Sequence, residues 1–327
     1  MKNLLKRNEF PILIITILLV FVLSLMTPNF FTIRNFVDIS KGNTIYGIMA
    51  LGMLCVLITG GIDLSIPGNI TLTSLVCGKL LVNTGMGIAP ILIICIVVGG
   101  LVGLVNGLLV TKLKLPAMVI TLGINSILMG SVLYYTDGNM ITGLPKWFQD
   151  FGFTRLFQVG DFSIPIQVVF LIVAAIITSF ILHYTVIGRG VYAVGGSELS
   201  ALRVGYKVDK IKILVYVYIG MLVGLAGFIN TSIVQGVNPN TYVGIDMTVI
   251  SIAVIGGAST LGGVGSVFGT ILGTILMAFI NNGLIIARVP TYWQNIVMGI
   301  IILAAITIDV VKRNIEKGKL VKVDVEE

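Results

Sequence analysis

Few side chains in this sequence could do chemistry, and their spacing narrows what that chemistry could be. His183 is the only histidine among 327 residues. That removes most multi-histidine metal sites and argues against catalysis by a histidine dyad; beside Tyr184 at the end of an apolar run, it reads as an interfacial residue. Cys55, Cys77 and Cys95 lie 22 and 18 residues apart inside apolar runs. With no CxxC pair and no second ligand type nearby, they read as small apolar side chains. No GxxxxGK[ST] occurs, and the glycine-rich stretch 256–269 has no lysine to reach a phosphate, so the chain binds no ATP through a P-loop. No catalytic residue, metal or cofactor is expected on this chain, and an intramembrane enzyme is disfavoured by the lack of paired catalytic side chains.

The break Thr59-Gly-Gly-Ile-Asp63-Leu-Ser65-Ile-Pro67-Gly68 puts a carboxylate and a hydroxyl in a glycine-rich gap between two apolar runs. A charge at the centre of a spanning helix costs about 2.5–3.5 kcal/mol on insertion scales, so Asp63 should lie near the interface, be paired, or face water. Either Asp63 or Ser65 caps the next helix, or the pair marks a hinge beside a pathway. Asn106, Thr121, Asn125, Asn230, Gln235, Asn238, Asn281 and Asn282 are uncharged polar residues in or near apolar runs. They suit a pathway for a polar, uncharged solute such as a sugar, whereas a proton relay would need carboxylates or histidines at depth. Taken singly, each reads first as an interhelical hydrogen bond.

One long basic interruption remains, residues 188–212. Ser197 can cap a helix, Glu198 sits favourably in its first turn, and Gly205 is placed to close it as the C′ residue. A helix from Glu198 to Val204 is far shorter than the roughly 12–15 residues at which isolated helices become marginal in water. It needs something to dock into, and Leu199 with Leu202 offers an apolar contact at i, i+3. The loop either lies on lipid headgroups through its basic residues or seats a coupling helix in a cytosolic protein.

The elements that must position these residues are membrane helices. Hydrophobic residues make up 56% of the chain and charged ones 11%, and the mean hydropathy is +1.06, beyond what a soluble domain with a polar shell reaches. A span needs about 20 apolar residues. That test predicts ten: 10–26, 43–60, 66–82, 89–111, 117–136, 165–184, 212–234, 247–257, 266–287 and 292–309. The eighth is too short alone and either borrows its flanks or is re-entrant. The first resembles a signal peptide in outline, but no small-x-small cleavage pattern follows and it reads as retained. The expectation is one all-α transmembrane domain over 1–327, with both termini cytoplasmic, a cytosolic loop 185–212, an extracytoplasmic loop 137–164 and a cytosolic tail 310–327. In that orientation 15 of the 21 lysines and arginines lie inside, as the positive-inside rule requires. The net charge of +7 is then explained by anionic lipid, without nucleic acid.

Trp147, Phe148, Phe151, Phe153 and Phe157 make the outer loop aromatic; it either lies at headgroup level or helps to dock an external partner. Glycines recur every four residues at Gly99, Gly103 and Gly107, at Gly220 and Gly224, and at Gly265, Gly269 and Gly273, which signals close helix packing rather than a ligand. Gly60-Gly61 with Asn106-Gly107-Leu108 and Pro116 is echoed by Gly256-Gly257 with Asn282-Gly283-Leu284 and Pro290, as in an internal repeat.

Several blocks together are similar to the permease subunits of ribose-type ABC importers. They are TPNFFT at 27–32, ALGM through ITGGIDLS at 50–65, GLVNG at 103–107, ITLGINSILMG at 120–130, IGRGVYAVGGSELSALRVGYKVDKIK at 187–212, IAVIGGASTLGGVGSVFGTILG at 252–273, NNGL from Asn281, and YWQNIVMGIIILAAITID at 292–309. The resemblance covers nearly the whole chain in order. It implies a plasma-membrane permease (the inner membrane in a Gram-negative cell) that pairs with a second permease copy or paralogue, a cytosolic ABC ATPase that carries ATP and magnesium, and an extracytoplasmic solute-binding protein. The family's coupling region falls on Gly195, Gly196, Ser197, Glu198, Ala201 and Gly205, with Leu199, Leu202 and Arg203 inside it. Two stretches depart from the family pattern: Ile66-Pro67-Gly68-Asn69 after the GGIDLS block, and 243–253, where a glutamate-bearing segment is usual. The function expected is an importer pathway for a monosaccharide or similar solute; the alternative is a self-sufficient secondary transporter or channel.

Overall fold

The helices cross where glycine lets their backbones meet. The computed structural model describes residues 10–26, 30–159 and 162–290, with scattered positions from 292 to 311. Helices α1 (Phe10–Met26), α2 (Ile33–Ile58), α3 (Ile66–Asn83), α4 (Ile88–Leu113) and α5 (Ala117–Thr136) come first. A short α6 (Lys146–Gly152) and an antiparallel hairpin, β1 (Arg155–Val159) with β2 (Phe162–Pro165), follow. Then come α7 (Ile166–Tyr184), α8 (Val186–Gly196), α9 (Glu198–Arg203), α10 (Val208–Val234), α11 (Ile245–Ile255) and α12 (Val267–Ile286). Six of these, α2, α4, α5, α7, α10 and α12, are long and apolar enough to cross a membrane. Of the predicted span 292–309, twelve residues are described and all of them are helical; the other six, and the tail 310–327 apart from Val311, lie outside the described residues.

At the centre, α10 packs on α4, α2 and α3. A methyl group on Gly99 would overlap the Gly220 carbonyl, one on Gly103 the Tyr216 carbonyl, and one on Gly224 the Cys95 carbonyl. The stripe Gly99-Gly103-Gly107 thus faces α10, while Ile93, Val97, Leu101, Val105 and Leu108 point outward on the opposite face of α4. That arrangement belongs to a helix with protein on one side and lipid on the other. Gly269 and Gly273 work the same way on α11 and its end, against the carbonyls of Gly256 and Ile252, whereas Gly265 meets the Leu54 and Ile58 side chains of α2.

The structure departs from the predicted elements in three places. Helix α2 starts at Ile33 rather than 43, because Thr32 accepts from the Asn35 N–H and caps a polar first turn that a hydropathy test discards. The aromatic outer loop is not irregular: Phe148 is fully buried and packs edge-on against Phe228, while Gly152 meets the Ser232 carbonyl. Trp147, Phe153 and Phe157 stay exposed, and β1–β2 adds a small sheet to an otherwise helical chain. Residues 186–196, read as loop, form α8. Helix α11, in contrast, is short as its sequence predicts: 11 residues, about 16 Å of rise, cannot cross a roughly 30 Å core unaided.

Glycine on the α4–α10 seam and glycine on the open face of α5 should respond oppositely to substitution. Gly103→Val should destabilise by about 1–3 kcal/mol or more, from overpacking against the backbone. Gly123→Ala, where nothing lies within 4 Å, should be neutral or slightly stabilising because alanine favours helix. Thermal unfolding of the detergent-purified protein measures both.

Candidate functional site

The basic interruption folds into two helices at one end of the bundle. Thr185 caps α8 by accepting from the Gly188 N–H, and α8 buries Gly190, Val191 and Val194 while Arg189 points out. Ser197 caps α9 by accepting from the Ser200 N–H. Helix α9 stops as its sequence predicts. Gly205 takes φ +93°, its N–H bonds the Leu202 carbonyl, and the Tyr206 N–H reaches back to Ala201. Glu198 pairs with Lys212 of α10. Ala201 is buried, whereas Leu199, Leu202 and Val204 are 60, 55 and 78% exposed. Among the described residues, therefore, nothing fully covers the apolar side chains of Leu199, Leu202 and Val204.

Backbone contacts join this unit to two helix breaks. The Ile58 carbonyl, at the end of α2, accepts the Gly263 N–H at 2.8 Å. It also lies so close to Gly195 that any Cβ there would overlap it. Gly262 sits against Gly195 and Gly60, and the Tyr192 hydroxyl donates to the Gly265 carbonyl at 2.8 Å. Burial raises the Tyr192 phenol above its ordinary pKa, so it remains a neutral donor. The two breaks share one backbone form. Gly60 and Gly257 both have positive φ; the N–H groups of Gly60 and Gly61 bond Leu57 and Val56, as those of Gly257 and Ala258 bond Val254 and Ala253. The two helices thus end alike, with Gly257 in the place of Gly60 and Ala258 in that of Gly61, so the double glycines themselves are offset by one residue.

Beyond the first break, five polar residues converge at the start of α3. Asp63 is 2% exposed. Its Oδ1 accepts from the Ser65 N–H at 2.8 Å and the Ser65 hydroxyl at 2.6 Å, and Asn106 Nδ2 donates to Ser65 Oγ at 2.7 Å. Thr121 Oγ1 accepts from the Leu64 N–H, and Asn125 Oδ1 accepts from the Gly68 N–H at 2.7 Å. Ser65 occupies the N-cap position of α3 but makes no capping bond. Its hydroxyl is committed to Asp63, and α5 supplies the cap in trans through Asn125, which accepts from the N–H of Gly68, the third residue of α3. Asp63 has no ion-pair partner among the described residues. Neither Asp63 nor Ser65 is a local cap; both belong to a buried lock that holds α3, α4 and α5 to the break.

Known proteins are similar to this chain over most of its length. Residues 35–306 match the family model described as branched-chain amino acid transport system / permease component. The chain belongs to this family. It is 36% identical to the ribose import permease protein RbsC of Bacillus subtilis over 297 residues, 89% of each chain. It is 32% identical to the D-allose transport system permease protein AlsC of Escherichia coli over 306 residues, 92% of this chain and 91% of the relative. To the autoinducer 2 import system permease protein LsrC of Yersinia pseudotuberculosis it is 31% identical over 325 residues, 98% of this chain and 91% of that one. No solved structure matches the chain. The permease is a multi-pass plasma-membrane transport component of the ribose-type ABC importer class, not an enzyme.

The remaining polar residues of the permease do not join the lock. Gln235 caps the end of α10 with φ 57°, and Asn238 is exposed in the following turn. Asn282 exchanges two amide bonds with Asn35, at 3.0 and 3.1 Å, tying α12 to the first turn of α2, while Asn281 is half-buried beside it. Asn230 donates to the Tyr242 hydroxyl at 2.6 Å. A groove of about 1110 Å³ between α2, α7 and α12 is largely apolar and contains none of these residues; His183 lines it, with Nδ1 2.9 Å from the Ser179 carbonyl. The trans cap from Asn125 left no local sequence signal, because donor and acceptor lie 57 positions apart.

Removing parts of the lock should lower stability with a recognisable pattern. Asn125→Ala should cost about 1 kcal/mol, as for a lost N-cap. Ser65→Ala and Asn106→Ala should each cost about 1–3 kcal/mol and combine to less than their sum, because they break one chain of bonds. Unfolding midpoints of the three single variants and the double variant test this.

Proposed function

We propose that the permease forms the membrane pathway of an ATP-driven importer for a monosaccharide or a similarly small polar solute. Two copies, or one copy and a paralogue, enclose the pathway; a cytosolic ABC ATPase drives it and an extracytoplasmic binding protein supplies it. Ribose, D-allose and autoinducer 2 are what the relatives import by name, which makes a ribose-like sugar the first solute to try. In this reading ten helices cross or enter the membrane, both termini and the 185–212 loop are cytosolic, and 137–164 faces the binding protein. The lock residues Asp63, Ser65, Asn106, Thr121 and Asn125 form a hinge beside the pathway.

The observation that carries the proposal is the exposed apolar face of α9, joined to the bundle by backbone. A six-residue helix with Leu199 and Leu202 in water is poor design for a free loop, and burying both in a groove of the ATPase would recover about 1.5–3 kcal/mol each. Glu198 and Arg203 flank that face and set its register by charge. When the ATPases close on ATP, α9 moves with them, Gly195 pushes on the end of α2, and access alternates through the breaks.

With the ATPase and binding protein co-reconstituted, Leu202→Asp should cut uptake about 30-fold, equivalent to ~2 kcal/mol of docking energy. Glu198→Lys, which sets two ammonium groups against each other, should also lower uptake. Both variants should insert normally, and the permease alone should move no solute. Gradient-driven uptake without an ATPase would overturn the proposal.

A further inference from the structure

A second cavity, about 860 Å³, opens between the α4–α5 turn, the α2–α3 break, α9 and the start of α10. Its mouth is basic. Lys114, Lys207 and Lys212 line it with Glu198 and Asp209, and Glu198 is already paired with Lys212. Lys114 and Lys207 are exposed and in no salt bridge among the described residues. The same mouth contains the N-terminus of α10, a 27-residue helix whose N-cap, Lys207, makes no side-chain capping bond. Its first N–H groups, on Val208 through Lys210, lack intrahelical acceptors, and the helix dipole adds positive potential there. Asp209 offsets part of that field, but its single charge is outnumbered by the lysines. Such a terminus flanked by ammonium groups is a phosphate-binding arrangement.

The floor of the cavity is different. Tyr216 lines it, is 2% exposed, and its hydroxyl has no hydrogen-bond partner among the described residues. A buried hydroxyl left unpaired is unusual and calls for a partner. Tyr216 lies eight residues along α10 from Val208, about 12 Å. A bare phosphate reaches one end of this space; a phosphate carrying a hydroxylated group reaches both. We propose that this cavity binds a phosphorylated polyol, with its phosphate at the α10 N-terminus among Lys114, Lys207 and Lys212 and a hydroxyl on Tyr216. Two sources offer that chemistry: the glycerol headgroup of an anionic phospholipid in the adjoining leaflet, or a soluble sugar phosphate. Because α9 and Gly61 form walls of the cavity, an occupant would brace the coupling helix against the first break and so regulate transport. The inference rests on the cytosolic placement of that end proposed above.

Binding is read on the purified full-length permease, without ATPase or transported solute, so that its failure and failure of the importer reading are separable. Titration calorimetry with ribose 5-phosphate, ribose and inorganic phosphate tests the soluble source. Native mass spectrometry of protein released from phosphatidylglycerol or phosphatidylcholine nanodiscs tests the lipid source. At least one polyol phosphate should bind more tightly than its matched control, ribose or phosphatidylcholine. Lys114→Ala/Lys207→Ala, at exposed positions that spare the fold, should weaken it at least about tenfold. Tyr216→Phe should lower the preference for the polyol phosphate over inorganic phosphate, or over a phosphate headgroup without hydroxyls, by about three- to tenfold. No binding above the controls from either source, or unchanged binding by the lysine variant, would overturn the proposal.

Discussion

The carbonyl of Ile58 is the point on which the rest of the permease turns. It ends α2, accepts the N–H of Gly263 from the α11–α12 connection, and abuts the backbone of Gly195 in α8. Three segments far apart in sequence meet there without an intervening side chain. Side chains can change rotamer and absorb a displacement; backbone packed on backbone passes it on. A short helix that cannot be stable alone thus becomes a rigid extension of the bundle.

The close-packed seams continue that rigidity inward. Gly99, Gly103, Gly220 and Gly224 bring α4 and α10 into backbone contact, and Gly256, Gly269 and Gly273 do the same for α11 and α12. Between these rigid pairs lie the two glycine-terminated breaks, with positive φ at Gly60 in the first and at Gly257, Gly262 and Gly263 in the second. The first break is further secured by the Asp63–Ser65–Asn106 chain and by Asn125. Ser65 donates twice to the buried Asp63, through its N–H and its hydroxyl, and so offsets part of the cost of burying it.

Much of this was legible in the sequence because its signals are local. Ser197, Glu198 and Gly205 lie within nine positions and specify α9 and its end, and period-four glycines mark helix seams whatever they pack against. What escaped was set by distant neighbours. Asn125 caps a helix 57 residues away, so Ser65 looked like the cap that it is not. Helix α8 needs α10 and the 256–265 connection beneath Gly190, Tyr192 and Gly195, and the burial of Phe148 depends on Phe228. The polar first turns of α2 are held by Asn282 from the far end of the chain. Hydropathy finds what lipid accepts, not where a capped helix begins.

The central claim is that motion of the coupling helix reaches the pathway through Gly195. The most direct measurement compares ATP hydrolysis with solute uptake in proteoliposomes containing the full transporter, wild type against Gly195→Ala. A methyl group there collides with the Ile58 carbonyl and the Gly263 N–H, opening the joint while leaving the docking face of α9 intact. The account predicts that hydrolysis persists while uptake per ATP falls at least about tenfold, the equivalent of ~1.4 kcal/mol of lost coupling. Wild-type uptake per ATP in that variant would contradict it.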